Sequence, residues 1–141
     1  MGHIQKTIEI ETRGSGLHEF TREVRRFTRE SGIGLGVLVI FCGHTSCSLL
    51  LQENADRDVQ RDLLEYFRRL VPEGMEWVVH TTEGPDDMPA HIKAALTQNS
   101  ISVPIRDGEP VFGTWQGIYL FEHRTRPHRR QVVLHLSGEE A

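Results

Sequence analysis

The run Leu35-Gly36-Val37-Leu38-Val39-Ile40-Phe41-Cys42, closed by Gly43, carries the clearest structural signal in the chain. It is almost wholly apolar, and Val37, Val39 and Ile40 give it β-branched stiffness, so it predicts a central strand covered on both faces. Gly43 ends it. From His44 the parity changes: Thr45, Cys47, Leu49 and Leu51 fall on one side, His44, Ser46 and Ser48 on the other. That alternation predicts another strand, whose polar start opens a polar surface beside the core.

On the N-terminal side, Ile4, Ile8 and Ile10 share one parity and predict a half-buried strand from Ile4 to Thr12. Leu17, Phe20, Val24 and Phe27 then recur at helical spacing, with Ser15 as N-cap and Gly32 as stop. On the C-terminal side, Val59, Leu63, Phe67 and Leu70 predict a second helix from about Asp56. Arg68 and Arg69 suit its negative end, and Pro72 follows it. Glu76 to His80 reads as a strand, and Thr81 to Met88 as a loop. Pro89 opens a short helix with Ile92 and Leu96 inward. Ile101 to Ile105, Val111 to Glu122 and Gln131 to Leu136 read as strands. Pro104 lacks a ladder donor and places the first of these at a sheet edge. The order βαββαβαβββ, rich in strands and without a strict βαβ repeat, predicts a single α+β domain over residues 1–141, with a largely antiparallel or mixed sheet and helices packed on it.

Composition narrows the function. The 141 residues suit one domain of roughly 150. With 16 Lys plus Arg against 20 Asp plus Glu, the formal net charge is −4, which disfavours capture of nucleic acid or an anionic membrane. The longest apolar run, Val37 to Phe41, is far shorter than the roughly 20 residues of a membrane span. Met1 to Arg13 alternates rather than forming a signal-peptide core, so a soluble, cytoplasmic protein is expected. Two cysteines, Cys42 and Cys47, are too few for a disulfide framework and read as small buried side chains.

Eight histidines are many for this chain. His44, His80 and His91 stand at breaks between predicted elements, where side chains point into clefts. Three imidazoles plus one exchangeable water make a catalytic zinc site, so these three are candidate metal ligands. Asp86 and Asp87 offer a further ligand, an orienting partner or a general base; equally, they suit the capping of a helix N-terminus. Thr45, Ser46 and Ser48 form a hydroxyl cluster of the kind that binds phosphate. A serine nucleophile is disfavoured because no GxSxG turn is present, and the parity of Cys47 points it at the core. Trp115, within Gly113-Thr114-Trp115-Gln116-Gly117, reads first as packing. The guanidinium groups of Arg124 and Arg126 suit either phosphate or carboxylate partners. The basic pairs, Arg129-Arg130 among them, read as solvated faces.

Four separated motifs resemble the YjbQ family (UPF0047): His44-Thr45-Ser46-Cys47-Ser48, Gln52-Glu53-Asn54-Ala55-Asp56, Asp86-Asp87-Met88-Pro89-Ala90-His91, and Gly113-Thr114-Trp115-Gln116 with Glu122. The resemblance covers essentially the whole chain. It implies an α+β fold assembled as a homotrimer, with a metal held by His44, His80 and His91. Asp87, Glu53, Gln116 and Glu122 are the implied catalytic and surrounding residues. It further implies an enzyme similar to secondary thiamine-phosphate synthases, which join a pyrimidine-methyl diphosphate to a thiazole phosphate and release pyrophosphate. Such a reaction needs a cation or arginines for the leaving charge and a wall near the electrophile. Thr45, Ser46, Ser48, Arg124 and Arg126 are the expected phosphate contacts, and Trp115 the wall. A three-histidine site favours Zn²⁺ over Mg²⁺. Two other readings stand beside it: metal-assisted hydrolysis of a phosphorylated metabolite, and a non-catalytic trimer that binds an anion or partner.

Overall fold

In the computed structural model, which describes residues 1–141, eleven elements follow in the order β1 (Gly2–Thr12), β2 (Gly16–Glu19), α1 (Thr21–Glu30), β3 (Ile33–Cys42), β4 (Cys47–Glu53), α2 (Arg57–Leu70), α3 (Asp87–Leu96), β5 (Ser100–Arg106), β6 (Glu109–Pro110), β7 (Gln116–Glu122) and β8 (His128–Glu140). Every strand pairing is antiparallel. Five strands form one sheet in the order β1-β8-β3-β5-β6, and three form another in the order β2-β7-β4. The result is the expected α+β architecture. No helix is long and apolar enough to cross a membrane.

The two sheets and α1 share one core. Leu38, Ile40 and Cys42 from β3 meet Val132, Leu134 and Leu136 from β8, Leu49 from β4, Ile118 and Leu120 from β7, Val24 from α1 and Phe20 just before it. Each fully buried Leu or Ile contributes about 1.5–3 kcal/mol. Cys42 and Cys47 lie within this core as free thiols, their sulfurs 3.5 Å apart.

β3 is central in its sheet but covered on one face only. Leu38 and Ile40 point inward, whereas Leu35, Val37 and Phe41 on the opposite face are 58%, 47% and 44% exposed. No helix lies over that face within the chain, so half of the apolar run fronts solvent. At the far end of β3 the chains approach closely. Gly36 faces Gly138 across the ladder, and a β-carbon on Gly138 would stand 2.1 Å from the Leu35 carbonyl oxygen.

Several boundaries differ from expectation. Ser15 is not an N-cap: Gly14 and Gly16 adopt positive φ, and residues from Gly16 onward pair with β7 before α1 begins at Thr21. Residues 76–80 form no strand and pair with none; Trp77 and Val79 are exposed there. Leu96 is also exposed rather than inward. The span 111–122 is strand only from Gln116. Beyond β5 lies only the two-residue β6, and the Pro104 carbonyl points to that side, where it accepts from Val111 N–H. The missing proline donor therefore faces the edge.

Candidate functional site

The site is built where α3 begins. Asp87 and His91 are four residues apart on this helix, so both side chains stand on one face one turn apart. The loop before the helix brings in His80. Its Nε2 lies 2.7 Å from Asp87 Oδ2, and His91 Nε2 lies 3.1 Å from the same oxygen. One ligand atom from each of the three falls within 4.8 Å of the others.

The surroundings fix these groups. The His91 Nδ1 is 2.9 Å from the Thr45 carbonyl oxygen. A carbonyl only accepts, so Nδ1 carries the proton and Nε2 is the nitrogen turned to the cluster. Asp87 is 4% exposed, and its other oxygen, Oδ1, pairs with Arg124 Nη1 at 2.9 Å. Burial pushes the Asp87 carboxyl up, but the His80 hydrogen bond and the electrostatic influence of His91 and of the Arg124 guanidinium outweigh it, leaving the carboxyl below its ordinary range. Two imidazoles and an ionised carboxylate are a donor set that fits a borderline divalent cation, and imidazoles suit Zn²⁺ better than Mg²⁺.

His44 does not join this cluster. Its Nε2 accepts a hydrogen bond from Gln131 N–H at 2.9 Å. Burial, then the charge of Arg130, lowers its pKa. His44 does line the same shallow pocket as His91, together with Thr45 and Ala94. The three-imidazole set expected from sequence is therefore two imidazoles and Asp87 in this chain, with His44 alongside.

Asp86 does not cap α3 with its side chain. It accepts instead from Arg124 Nε at 2.9 Å and from Thr125 N–H at 2.9 Å, and one guanidinium thereby straddles both neighbouring aspartates. Burial raises the Asp86 carboxyl, but the Arg124 and Thr125 hydrogen bonds bring it down to about 2. Glu122 is wholly buried and accepts from Arg130 Nε, Arg130 Nη2 and the Thr12 hydroxyl. Burial opposes its charge; these donors still hold it below the ordinary carboxylate value.

These pairings reassign the expected phosphate contacts. Arg124 is committed to carboxylates, Ser46 Oγ accepts from Arg130 Nη2 at 3.0 Å, and Ser48 is buried between Thr97 and His123. Thr45 and Arg126 remain exposed. Glu53 and Gln116 pair at one end of the β4-β7 ladder, and Cys47 and Glu122 at the other. About six residue steps separate the two ends, roughly 20 Å. Within one chain, Glu53, Gln116 and the 63% exposed Trp115 thus stand well away from His91 and Asp87. Glu53 caps its own turn through Asp56 N–H, and Gln116 accepts from Gly113 N–H.

Arg130, expected in a solvated basic pair, is instead buried, and so is His123, for which the sequence suggested no role. Their signal is parity. Arg130 falls in step with Val132, Leu134 and Leu136, so it points into the core side of β8 rather than to solvent.

An α+β chain with two antiparallel sheets and a His-Asp-His cluster at the start of its third helix defines the type of protein, and comparison places it further. A family model described as UPF0047 protein YjbQ-like matches residues 6–139. A UPF0047 protein of Synechocystis sp. is 49% identical over 135 residues, spanning 96% of this chain and 92% of that one. The UPF0047 protein YjbQ of Escherichia coli O157:H7 is 38% identical over 136 residues, spanning 96% and 98%. Among solved structures, an uncharacterized conserved protein of the YjbQ/UPF0047 family from Clostridium acetobutylicum superposes with a TM-score of 0.83 at 33% identity, covering 95% of this chain and 99% of that one. A conserved hypothetical protein of Thermus thermophilus gives 0.82 at 30% identity, covering 92% and 97%. The chain belongs to the YjbQ-like UPF0047 family.

Proposed function

We propose that this protein is a metal-dependent enzyme acting on a phosphorylated small molecule, with His80, Asp87 and His91 holding a divalent ion, zinc in preference to magnesium. The observation that carries the reading is the convergence of two imidazole nitrogens on one buried, ionised carboxylate. An ion held there supplies Lewis-acid polarisation of a phosphoryl oxygen. The chain's own groups do the positioning: Arg124 fixes Asp87, and the Thr45 carbonyl fixes the His91 ring. Thr45 and His44 line the pocket next to His91, where a substrate oxygen finds a hydroxyl and a neutral imidazole.

The finer reading follows from the family resemblance: transfer of a pyrimidine-methyl group from its diphosphate to a thiazole phosphate, in the manner of a secondary thiamine-phosphate synthase. A second reading, hydrolysis of a phosphorylated metabolite, is favoured by the donor set, because two histidines and a carboxylate with an open position are typical of hydrolytic zinc sites. Both are tested by giving the zinc-loaded protein the two thiamine precursors in one assay and a panel of phosphoesters in another. Pyrophosphate release that requires both precursors supports the transferase, and phosphate release from a single ester supports the hydrolase. Silence in both assays with zinc bound would leave the non-catalytic binding role.

The homotrimer is part of the proposal. The uncovered stripe of Leu35, Val37 and Phe41 supports self-association, since a contiguous apolar face on a soluble sheet marks an interaction surface. Light scattering on the eluting protein gives the mass directly; a monomer would overturn it. Two free thiols support placing the protein in the reducing cytoplasm.

A further inference from the structure

The loop between α2 and α3 closes around an apolar hollow that borders the His80-Asp87-His91 cluster. Residues 71–86 hold no helix or strand, and short turns shape them: Val78 N–H donates to the Met75 carbonyl at 3.1 Å, and Gly84 N–H to the Thr81 carbonyl at 3.4 Å. The curl leaves a hollow of ≈ 280 Å³. Met75, Val78 and Pro85 from the loop, with Met88 and Pro89 from α3, form its walls. No Asp, Glu, Lys or Arg lines it, and His80 and Thr81 are the only lining side chains with hydrogen-bonding groups.

Size, chemistry and position say what fits. A cavity of about 150 Å³ takes benzene, so this hollow has room for one ring with a substituent or two. Its walls are neutral and apolar, and the thioethers of Met75 and Met88 are polarisable groups that make favourable contacts with aromatic rings. Both methionines and Val78 are only half-buried, so apolar surface is left for a ligand to cover. His80 belongs to the hollow and to the cluster alike, and Met88 and Pro89 directly follow Asp87 on α3. A ligand atom on an ion held by the cluster and a ring in the hollow would be only a few bonds apart. Trp115, expected from sequence as the wall beside the reacting group, stands well away within one chain; Met75, Val78 and Met88 offer an apolar wall next to the cluster instead.

We infer that this hollow is the ring subsite of the site: the substrate carries one aromatic ring, joined by a short link to the phosphoryl group that meets the metal. The ring sits among Met75, Val78 and Met88, and selectivity comes from its burial. The inference rests on the metal reading for the anchor of the polar end, but the ring subsite itself needs no metal.

The test uses full-length protein carrying ¹³C-methyl methionine. Of its three methionines, Met75 and Met88 line the hollow, and Met1, 92% exposed, serves as reference. Zinc-loaded protein is titrated in a calorimeter and by NMR with benzylphosphonate, 2-phenylethylphosphonate and methylphosphonate. At least one phenyl compound should bind tenfold or more tighter than methylphosphonate, shift the Met75 and Met88 methyl signals and leave Met1 fixed. Met75→Trp, which fills the hollow without adding charge, should remove that preference and keep both zinc and the affinity for methylphosphonate. Equal affinities, no binding by any of the three, or Met75 and Met88 signals that stay fixed while a phenyl compound binds would overturn the inference. So would a preference that survives in folded Met75→Trp. Each of these failures with zinc retained leaves the metal reading standing. If zinc is not retained, benzyl alcohol is titrated into the metal-free protein: shifts of both methionine signals keep the ring subsite while the metal reading falls, and fixed signals remove both.

Discussion

Arg124 Nη1 lies 2.9 Å from Asp87 Oδ1, and that ion pair leaves Asp87 Oδ2 facing the two imidazoles. The same guanidinium reaches Asp86 through Nε and the Glu83 carbonyl through Nη2. Arg124 is therefore a positioning residue for the proposed metal ligand. Lysine keeps the charge but not the fork. Arg124→Lys should leave the protein folded and weaken zinc affinity by about 10–100-fold, the usual effect of disturbing a ligand's supporting partner. Competition against a fluorescent chelator reads this out, and unchanged affinity would count against the assignment.

Glu122 is assigned to holding the fold. Removing its carboxylate strands the Arg130 guanidinium in a buried setting, which typically costs about 3–5 kcal/mol. Glu122→Ala should show that loss in urea unfolding. A variant with wild-type stability and abolished turnover would instead make Glu122 a reacting group.

His123 makes stability depend on pH. Burial first, then the charge of Lys93, lowers its pKa to about 3, with Glu122 opposing and Arg130 adding to the shift. The unfolded chain binds a proton at about 6.5 and the folded chain does not until near 3, so stability is complete above about 6.5 and falls as pH drops through that window. The slope is at most about 1.4 kcal/mol per pH unit. Asp86, held at about 2, adds a further loss only below about pH 4. Chemical denaturation between about pH 7 and 5 should show His123→Gln with a flatter dependence than the wild type. Identical slopes would exclude the contribution.

Gly138 is required for the β3-β8 crossing. Its β-carbon would meet backbone, not a side chain able to move aside. Gly138→Ala should destabilise by about 3 kcal/mol, the upper part of the range for overpacking. A thermal midpoint within a degree or so of wild type would show that the strands separate freely there.

The antiparallel α+β core was legible because β1, β3 and β8 write their inward faces as apolar alternation or an apolar run. The outer face of β3 misled for the same reason: Leu35, Val37 and Phe41 look like core, and nothing in a single chain says that they lack a cover. Residues 76–80 have strand-like composition but no neighbour to pair with, a tertiary fact that local pattern does not hold. His80 and His91 were legible from their positions at element breaks. His44 shares that position, yet the Gln131 amide takes its Nε2, a pairing set by the β8 register across 87 residues. Arg130 read as part of a solvated basic pair, and Arg124 as a partner of either phosphate or carboxylate, until the fold set carboxylates opposite both.

Metal content bears most directly on the central claim. Protein purified without a metal-affinity column, supplied with zinc and then desalted, should retain about one zinc ion per chain by elemental analysis. His91→Ala and Asp87→Asn, each shown to be folded by circular dichroism, should retain almost none. Zinc that stays undiminished in both variants, or that the wild type never retains, would contradict the account.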